Sequence, residues 1–412
     1  MAKRILSVVL TLAMLLSFAV LASSCTGSSS DGFAKVEKAD IKIGLITLHD
    51  DTSTYDKNFI DSMYRALENK GLSKDQLVLY TGIDESSACY EKAKACVNQG
   101  CQIVFADSFG HEDYIIQAAK EFKYVRFAHA TGTKAHTVKL DNFSNAFASI
   151  YEGRYLAGIA AGMKLNEMID AGTITADQAV MGYVGAFTYA EVMSGYTSFY
   201  LGAKSVCPSV TMKVKFTGSW YDTDKEYTAA KALIAEGCVL MSQHADSYGA
   251  PNACEEAGVP DISYNGSTEA QGPNTYIIAS KIDWTPYFEY LIDCVMNGEK
   301  VDTDWTGTIK TGSVKIETLS KNAAAGTQAK LDEALAGFKA GTLKVFDTAK
   351  DNFITVGGQK LTSYKADVDT DEKYEKDTEV VSDGYFHESE YRSAPYFDAE
   401  IDGITLLDRE YG

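Results

Sequence analysis

Strand-like and helix-like segments alternate along the chain from residue 41 onwards. Apolar, β-branched runs predict buried strands at 41–48, 76–82, 101–107 and 124–130. Apolar residues at helical spacing predict the intervening helices at 55–70, 84–97 and 111–122. This alternation is typical of a parallel sheet that is covered by helices on both faces.

The same alternation begins again after a long helix that the pattern predicts at 144–165. The second series of strands is predicted at 179–186, 211–218, 237–243 and 259–265. The helices of this series are predicted at 188–203, 223–236 and 248–257. Two α/β units of similar size in one chain predict two doubly wound parallel-sheet lobes.

The part that follows the second unit is shorter and less regular. A strand and a helix are predicted within 276–298, a helix at 328–341, and a hairpin at 344–361 with Asp or Asn at its turn. The whole chain divides into these predicted parts: signal peptide 1–24, linker 25–40, first part of lobe 1 41–143, lobe 2 144–264, a return to lobe 1 with a C-terminal helix and hairpin 265–364, and an acidic tail 365–412.

The first residues of the chain have the features of a secretory signal. Lys3 and Arg4 precede an apolar run at 5–20, which is shorter than the roughly 20 residues of a membrane-spanning helix. The run ends before Cys25 in a sequence that resembles a bacterial lipobox, so we expect Cys25 to be the lipidated first residue of the mature protein. Ordinary secretion without lipidation is the alternative. The polar residues that follow predict a flexible leash.

The net charge of the chain indicates which kinds of molecule it can bind. The formal net charge is −19, which argues against nucleic-acid binding because phosphate contacts require Lys and Arg. A free nucleoside or base is not excluded. Residues 365–412 hold 15 Asp and Glu against five Lys and Arg, and we interpret them as a solvated, partly mobile tail.

The eight cysteines indicate no metal site and no obvious disulfide framework. Cys89 and Cys96 lie on one face of a predicted helix, about 10.5 Å apart along its axis. A disulfide requires Cα atoms within about 7 Å. We therefore expect these two residues to be small buried apolar side chains.

The predicted strand ends carry the candidate binding residues, because ligands of doubly wound sheets bind at the carboxyl ends of the strands. The aromatic candidates are Tyr55, Phe109, Phe187, Tyr189, Trp220 and Trp284. The hydrogen-bonding candidates are Asn58, Ser108, Asp246, Asn265 and Lys281. Aromatic faces beside amide and carboxylate groups suit a nucleobase or nucleoside. Sugars also stack on aromatic rings, and any single aromatic residue could instead belong to the core.

No catalytic motif is present in the sequence. The chain lacks a Gly-x-Ser-x-Gly elbow, a His-Glu-x-x-His zinc motif, a P-loop and a Gly-x-Gly-x-x-Gly turn. A surface hydrolase that uses two of the many carboxylates would need a nucleophile or metal cluster that the sequence does not supply. We therefore expect a binding protein rather than an enzyme, without cofactor or metal.

Seven short blocks, in order, resemble the basic membrane protein family of substrate-binding lipoproteins, which includes purine-nucleoside receptors. The blocks are Phe105–Gly110, Phe127–Gly132, Tyr151–Gly158, Gly182–Phe187 with Glu191-Val192, Ser219–Asp222, Gln243–Ser247 and Trp284–Tyr287. The resemblance implies a type I periplasmic-binding-protein fold, with two lobes, three crossover strands and a cleft that closes on its ligand. It also implies ABC-type uptake, often of purine nucleosides or bases.

The resemblance assigns roles to some of the candidates. Phe109 and Phe187 would be stacking residues, and Trp220 would be a further aromatic face. Asp246 would bind a sugar hydroxyl or a base nitrogen, and Lys281 would contact the ligand. The loop 49–55 departs from the family, as does the segment 264–267, which lacks the Asp of many members. Tyr55 and Asn58 would take over the role of the first loop.

The sequence thus predicts a solute-binding lipoprotein of an ABC importer, a monomer anchored on the outer face of the cell membrane. It would capture a purine nucleoside or nucleobase and deliver it to an ABC permease. The alternative is the same fold binding a sugar or signalling molecule for a sensor. Hinges are expected near 141–144 and 264–268.

Overall fold

The computed structural model describes residues 33–409, so the predicted signal peptide and Cys25 lie outside the described residues. The α-helices of these residues are α1 (Thr54–Lys70), α2 (Ser87–Asn98), α3 (Glu112–Glu121), α4 (Ala135–Val138), α5 (Ile150–Asp170), α6 (Ala190–Val206), α7 (Thr223–Ala235), α8 (Gly249–Ala257), α9 (Thr285–Asn297) and α10 (Thr327–Ala340). None of these helices of residues 33–409 has the length and apolar character needed to cross a membrane.

The strands are numbered in chain order. They are β1 (Ile43–Ile46), β2 (Leu77–Tyr80), β3 (Ile103–Ala106), β4 (Arg126–Ala130), β5 (Phe143–Ala148), β6 (Val180–Gly185), β7 (Thr211–Phe216), β8 (Leu240–His244), β9 (Asp261–Tyr264), β10 (Tyr276–Ile282), β11 (Asp304–Gly307), β12 (Val314–Ile316), β13 (Thr355–Val356), β14 (Gln359–Lys360), β15 (Lys365–Ala366), β16 (Thr378–Glu379), β17 (Val381–Ser382), β18 (Tyr385–Phe386) and β19 (Ile404–Leu406).

Two large sheets form the centres of two lobes, as expected for a type I periplasmic-binding-protein fold. The first has the order β11-β5-β4-β3-β1-β2 and is parallel throughout. The second has the order β12-β10-β9-β8-β6-β7-β19, and β12 is its antiparallel edge. The central strands β1 and β3 are buried on both faces, which is why they are continuous apolar runs.

One prediction at the junction of the lobes is wrong. Residues 143–148 form the strand β5 instead of the start of a long helix, and α5 begins only at Ile150. All six side chains of β5 are buried, and the strand pairs with β4 on one side and β11 on the other. The distant partner β11 therefore decides the conformation of a segment that is locally compatible with a helix.

The crossovers between the lobes also lie elsewhere than expected. The chain passes from β5 to α5 near Ser149, from β10 to α9 near Asp283, and from β11 to β12 through 308–313. These passages are joined by hydrogen bonds from Ser149 N to Gly307 O (2.7 Å) and from Asp283 N to Ser313 O (2.8 Å). The predicted hinges near 141–144 and 264–268 lie within the lobes instead.

The predicted division at 264/265 does not coincide with the boundary between the sheets. Strands β10 and β12 continue the second sheet, and α10 packs on α5. Only α9 and β11 return to the first lobe, where α9 packs against α1. The predicted hairpin exists as β13 and β14, but its turn is Gly357-Gly358, both with positive φ, rather than Asp351-Asn352.

The acidic C-terminal part is folded, so the expectation of a solvated, mobile tail is wrong. We call residues 341–409 the C-terminal extension. Its residues Phe346, Phe386 and Phe397 are buried in the hydrophobic core that continues from the lobes, with Phe346 and Phe397 stacked at 4.4 Å between ring centroids. Its last strand, β19, pairs with β7 of the second sheet. The net charge of this segment does not reflect the apolar residues that lie between its acidic residues. Burial of those apolar residues stabilises the folded conformation.

Candidate functional site

A cavity of about 380 Å³, including the part open to solvent, lies between the lobes at the carboxyl ends of the strands. We call it the inner cavity. The first lobe lines it with Leu48, His49, Tyr55, Asp56, Ser108, Phe109 and Thr131. The second lobe lines it with Glu191, Trp220, His244, Asp246 and Tyr264. This is where ligands of doubly wound sheets are expected to bind.

The loop after β1 is held by the first turn of α1. Ser53 caps this helix, and its hydroxyl donates to Asp56 Oδ2 (2.6 Å). Asp56 Oδ1 accepts a hydrogen bond from His49 N (2.8 Å). Burial raises the pKa of Asp56, but the hydrogen bonds from His49 and Ser53 outweigh burial, so its pKa is lowered. Asp56 is therefore a fixed anion that orients His49.

The loop after β3 brings Ser108 and Phe109 to the inner cavity. Tyr55 donates from its hydroxyl to Asp107 O (2.8 Å), and Asp107 Oδ1 accepts from Leu48 N (3.1 Å). Burial, with a smaller contribution from Asp56, raises the pKa of Asp107 well above its usual value. Asp107 thus ties two loops together behind the inner cavity.

Aromatic rings of both lobes meet at the mouth of the inner cavity. In the second lobe, Phe187 stacks on Tyr189 (5.1 Å between centroids, 18° between planes) and meets Trp220 edge-on (4.9 Å). Phe109 of the first lobe lies 5.2 Å from Tyr189 across the cleft. Phe109 and Trp220 line the inner cavity, whereas Phe187 supports its neighbours from behind.

Asp246 of the second lobe lines the inner cavity and also contacts the first lobe through its backbone. Its backbone oxygen accepts hydrogen bonds from Thr54 N (3.1 Å) and Thr54 Oγ1 (3.3 Å) of the first lobe. Burial raises the pKa of Asp246 well above its usual value, and the nearby charges of Asp56, Glu226 and Glu191 raise it further. The side chain can therefore hold a proton and act as donor or acceptor towards a ligand.

A buried polar chain orients His244 at the floor of the inner cavity. Arg154 is fully buried and donates from Nη2 to Tyr183 Oη (3.2 Å) and to Ser242 Oγ (2.6 Å). Tyr183 Oη in turn lies 3.3 Å from His244 Nδ1, and His244 Nε2 lies 3.1 Å from Glu191 Oε1, so both ring nitrogens have a hydrogen-bonding partner. No pattern in the sequence predicts the contact between these residues.

Asn58 and Asn265 meet each other behind the inner cavity instead of lining it. Asn58 Nδ2 donates to Asn265 O (2.8 Å), a contact that joins α1 to the end of β9. Asn265 has a positive φ of 60° and is buried. Both residues lie one layer away from the residues that line the inner cavity.

The structure does not bring Lys281 and Trp284 to the inner cavity. Lys281, on β10, forms an ion pair with Glu317. Trp284 is buried in the core of the first lobe, where it stacks on Phe59 at 4.4 Å and meets Phe105 edge-on. Trp284 is therefore a core residue and not a binding residue. From the sequence, a place in the core was the alternative for each aromatic candidate.

The lining residues that were not among the candidates are Leu48, His49, Asp56, Thr131, Glu191, His244 and Tyr264. Each of them ends a strand, lies within three residues after a strand, or lies in the first turn of a helix. Position alone could have identified them. His244 and Glu191 are neither aromatic stacking residues nor amides, and their pairing spans 53 positions of the sequence.

The chain matches a protein-family model over residues 43–340, described as ABC transporter substrate-binding protein PnrA-like. A purine-binding protein of Brucella abortus is 32% identical over 274 residues, which are 66% of this chain and 73% of that protein. A putative ABC transporter glucose-binding protein of Haloferax volcanii is 32% identical over 221 residues, 53% of this chain and 52% of that protein.

Solved structures support the fold. An ABC transporter solute-binding protein of Aeropyrum pernix superposes with a TM-score of 0.63 at 17% identity, covering 76% of this chain and 94% of that protein. At this identity the likeness concerns the fold alone. The C-terminal extension lies beyond the residues that the family model matches.

Proposed function

Because the chain belongs to the family of PnrA-like ABC transporter substrate-binding proteins, we propose that it captures a purine nucleoside or nucleobase in the inner cavity. Members of this family bind a small solute for an ABC permease outside the cytoplasm, and they are not enzymes. The seven sequence blocks that resemble the family fall within the matched residues.

The observation that carries the proposal is the composition of the inner cavity. The aromatic faces of Tyr55, Phe109 and Trp220 stand beside the carboxyl groups of Asp246 and Glu191. A flat heteroaromatic ring gains from stacking on such faces, and its N–H groups find acceptors at the carboxylates. Stacking of a base on an aromatic side chain is worth about 1–3 kcal/mol in nucleic-acid complexes.

The charge of the inner cavity favours a neutral ligand over a nucleotide. Asp56, Glu191 and Asp246 line it, and within residues 33–409 neither Lys nor Arg does. A phosphate placed in the inner cavity would meet carboxylates and no cation, which is unfavourable at short range in a partly buried site. A nucleoside or base presents hydrogen-bond donors without negative charge.

Capture would couple binding to closure of the lobes. Phe109 comes from one lobe and Trp220 from the other, so one ring can contact both only when the cleft is shut. Ser108 and Asp246 would contact the polar edge of the ligand. Four residues outside the inner cavity would support the residues that line it, namely Phe187, Tyr189, Asn58 and Asn265. We propose that the protein works as a monomer.

The location of the protein is part of the proposal. Cys25, followed by a polar leash, would carry the acyl chains that keep the receptor near its permease. Two chains are needed for stable anchoring, since one gives only marginal binding. We expect the mature protein to enter the detergent phase in a phase-separation extraction, and recovery in the aqueous phase with an unmodified Cys25 would contradict the anchor.

Mass spectrometry of ligand released by denaturation of the purified protein tests the proposed function. We expect a purine nucleoside or base in an amount comparable to that of the protein. A buried ligand with a slow dissociation rate survives purification, so release of a different compound in stoichiometric amount would contradict the purine assignment.

The alternative ligand is a sugar. Carboxyl groups beside aromatic faces also suit sugar hydroxyls and the apolar face of a pyranose, and one relative is named as a putative glucose-binding protein. A signalling molecule read by a sensor would use the same fold. Stoichiometric hexose in the denatured extract favours this alternative while leaving the receptor function intact.

A further inference from the structure

The C-terminal extension spans both lobes at the mouth of the cleft. Ser393 N donates to Asp304 Oδ2 (2.8 Å) on β11 of the first lobe. Further along, β19 pairs in parallel with β7 of the second lobe, and Leu407 N donates to Val214 O (2.9 Å). The segment between these two attachments therefore passes from one lobe to the other, and Ala394 and Pro395 at its start line a cavity in the cleft.

An outer cavity of about 710 Å³, including the part open to solvent, adjoins the inner one. The two cavities share Phe109, Thr131, Glu191 and Trp220 among their lining residues. Arg392, Ala394 and Pro395 of the extension form the far wall of the outer cavity. A ligand that fills the inner cavity and carries a substituent would place that substituent against this wall.

Arg392 is held in position by two backbone oxygens of the C-terminal extension. Its Nη1 donates to Asp367 O (2.9 Å) and its Nε donates to Ala394 O (3.3 Å). Its Nη2 has no hydrogen bond to any residue within 33–409. Two of its nitrogens are thus occupied by backbone oxygens, while a third remains to donate into the outer cavity.

The outer cavity adds a cationic hydrogen-bond donor that the inner cavity lacks. The inner one presents carboxyl oxygens of Asp246 and Glu191, which suit the N–H groups of a base. The outer one adds the guanidinium of Arg392 and the hydroxyl of Thr133. A guanidinium can only donate, so it requires an acceptor such as a ribose oxygen.

We propose that the loop 392–395 is part of the ligand site, and that Arg392 is a specificity-determining residue which donates to the ribose of a nucleoside whose base is stacked in the inner cavity. This inference rests on the proposed function. It assigns the selection of nucleosides over free bases to a segment beyond the part of the chain that the family model matches.

Calorimetry with paired ligands tests this inference. Adenosine and adenine, and inosine and hypoxanthine, are titrated into the full mature protein and into Arg392→Ala. We expect the substitution to weaken nucleoside binding about tenfold or more, because a hydrogen bond to a charged group is lost, and to change base binding less than about twofold. Arg392→Lys keeps the charge and should restore part of the nucleoside affinity.

Two further variants guard against a general effect on folding. Arg409→Ala removes an exposed Arg of the same extension, which pairs with Glu400, and should change neither affinity. Thr133→Phe fills the outer cavity from the first lobe without altering any residue of the extension, and should weaken the binding of nucleosides but not that of bases. Melting temperatures without ligand verify that each variant is folded.

The outcomes separate the two proposals. An unchanged ratio of nucleoside to base affinity in both Arg392→Ala and Thr133→Phe overturns the role of the outer cavity while leaving purine binding intact. Absence of any purine binding by the unaltered protein contradicts the proposed function, and the role of Arg392 falls with it.

Discussion

At the scale of single residues, Asp246 and Phe187 differ in how they serve the site. Asp246 lines the inner cavity and is buried, whereas Phe187 backs Tyr189 and Trp220. Asp246→Ala removes a hydrogen-bonding partner and should weaken purine binding about 10–100-fold. Phe187→Ala should cost less than about tenfold, because the rings that contact the ligand remain.

Calorimetry on both variants measures this difference, and Asp246→Asn serves as the isosteric control. The amide keeps the shape of the side chain and one acceptor oxygen. The loss of purine affinity in Asp246→Asn should therefore lie between the losses in Phe187→Ala and Asp246→Ala. A larger loss for Phe187→Ala than for Asp246→Ala, with both proteins folded, contradicts the assignment of Asp246 as the principal polar contact.

Glu388, in the C-terminal extension, makes stability depend on pH. Its Oε2 accepts from the backbone N–H of Tyr396 (3.2 Å) and Phe397 (3.0 Å), whereas Oε1 has no partner within 33–409. Burial raises the pKa of Glu388 from 4.5 to about 7. The unfolded chain loses this proton near pH 4.5 but the folded protein near pH 7, so Glu388 makes the protein less stable as the pH rises between these values.

Glu388→Gln should therefore stabilise the protein more at pH 8 than at pH 5, by up to about 3 kcal/mol in the free energy of unfolding. Denaturant titrations at the two pH values measure the difference. Glu372→Gln, an exposed acid of the same extension, is the matched control and should show little pH-dependent effect. An equal effect of Glu388→Gln at both pH values contradicts the raised pKa.

At the scale of elements, Gly403 allows β19 to dock on β7. It has a φ of 93°, and a Cβ atom there would lie 2.0 Å from the hydroxyl oxygen of Tyr200. Its carbonyl oxygen accepts from Met212 N (2.9 Å) at the start of the pairing. A side chain at this position would strain the backbone and push β19 away.

Gly312 provides the control for this prediction, since it has a φ of 82° but open space around its Cα. Both Gly403→Ala and Gly312→Ala incur a backbone cost of about 1–3 kcal/mol. We expect Gly403→Ala to be at least about 1 kcal/mol more destabilising and to expose the C-terminus to protease. Equal losses of stability in the two variants would contradict the tight docking of β19.

The sequence predicted those elements whose conformation is set locally. The buried run of β1 and the helical spacing of α1 were sufficient for both elements. Strand β5 was missed because β11, some 160 positions away, determines it. Lys281 was misplaced because its ion pair with Glu317 depends on the antiparallel pairing of β10 with β12.

The candidate site shows the same limit. Phe109, Trp220 and Asp246 were predicted from their positions after strands, and the structure brings them together. The chain from Arg154 through Tyr183 to His244 could not be predicted, because its members come from α5, β6 and β8. The position of the C-terminal extension beside the cleft could not be predicted either, because an acidic composition does not indicate which surface a segment packs against.

At the scale of the whole molecule, the lobes should close on the ligand by rotation about the three crossovers near 149, 283 and 308–313. Small-angle scattering should show a smaller radius of gyration with saturating ligand than without it. The ligand should also stabilise the protein by about 2.7 kcal/mol at a hundredfold excess over Kd. Superimposable scattering profiles would contradict closure.

The measurement that tests the central claim most directly is calorimetric titration of the mature protein, freed of bound ligand, with adenosine, guanosine, inosine, adenine and glucose. A site made of stacked aromatic faces and carboxyl groups between closing lobes predicts saturable one-to-one binding of at least one purine, with glucose much weaker. Tight binding of glucose without a response to any purine would contradict it.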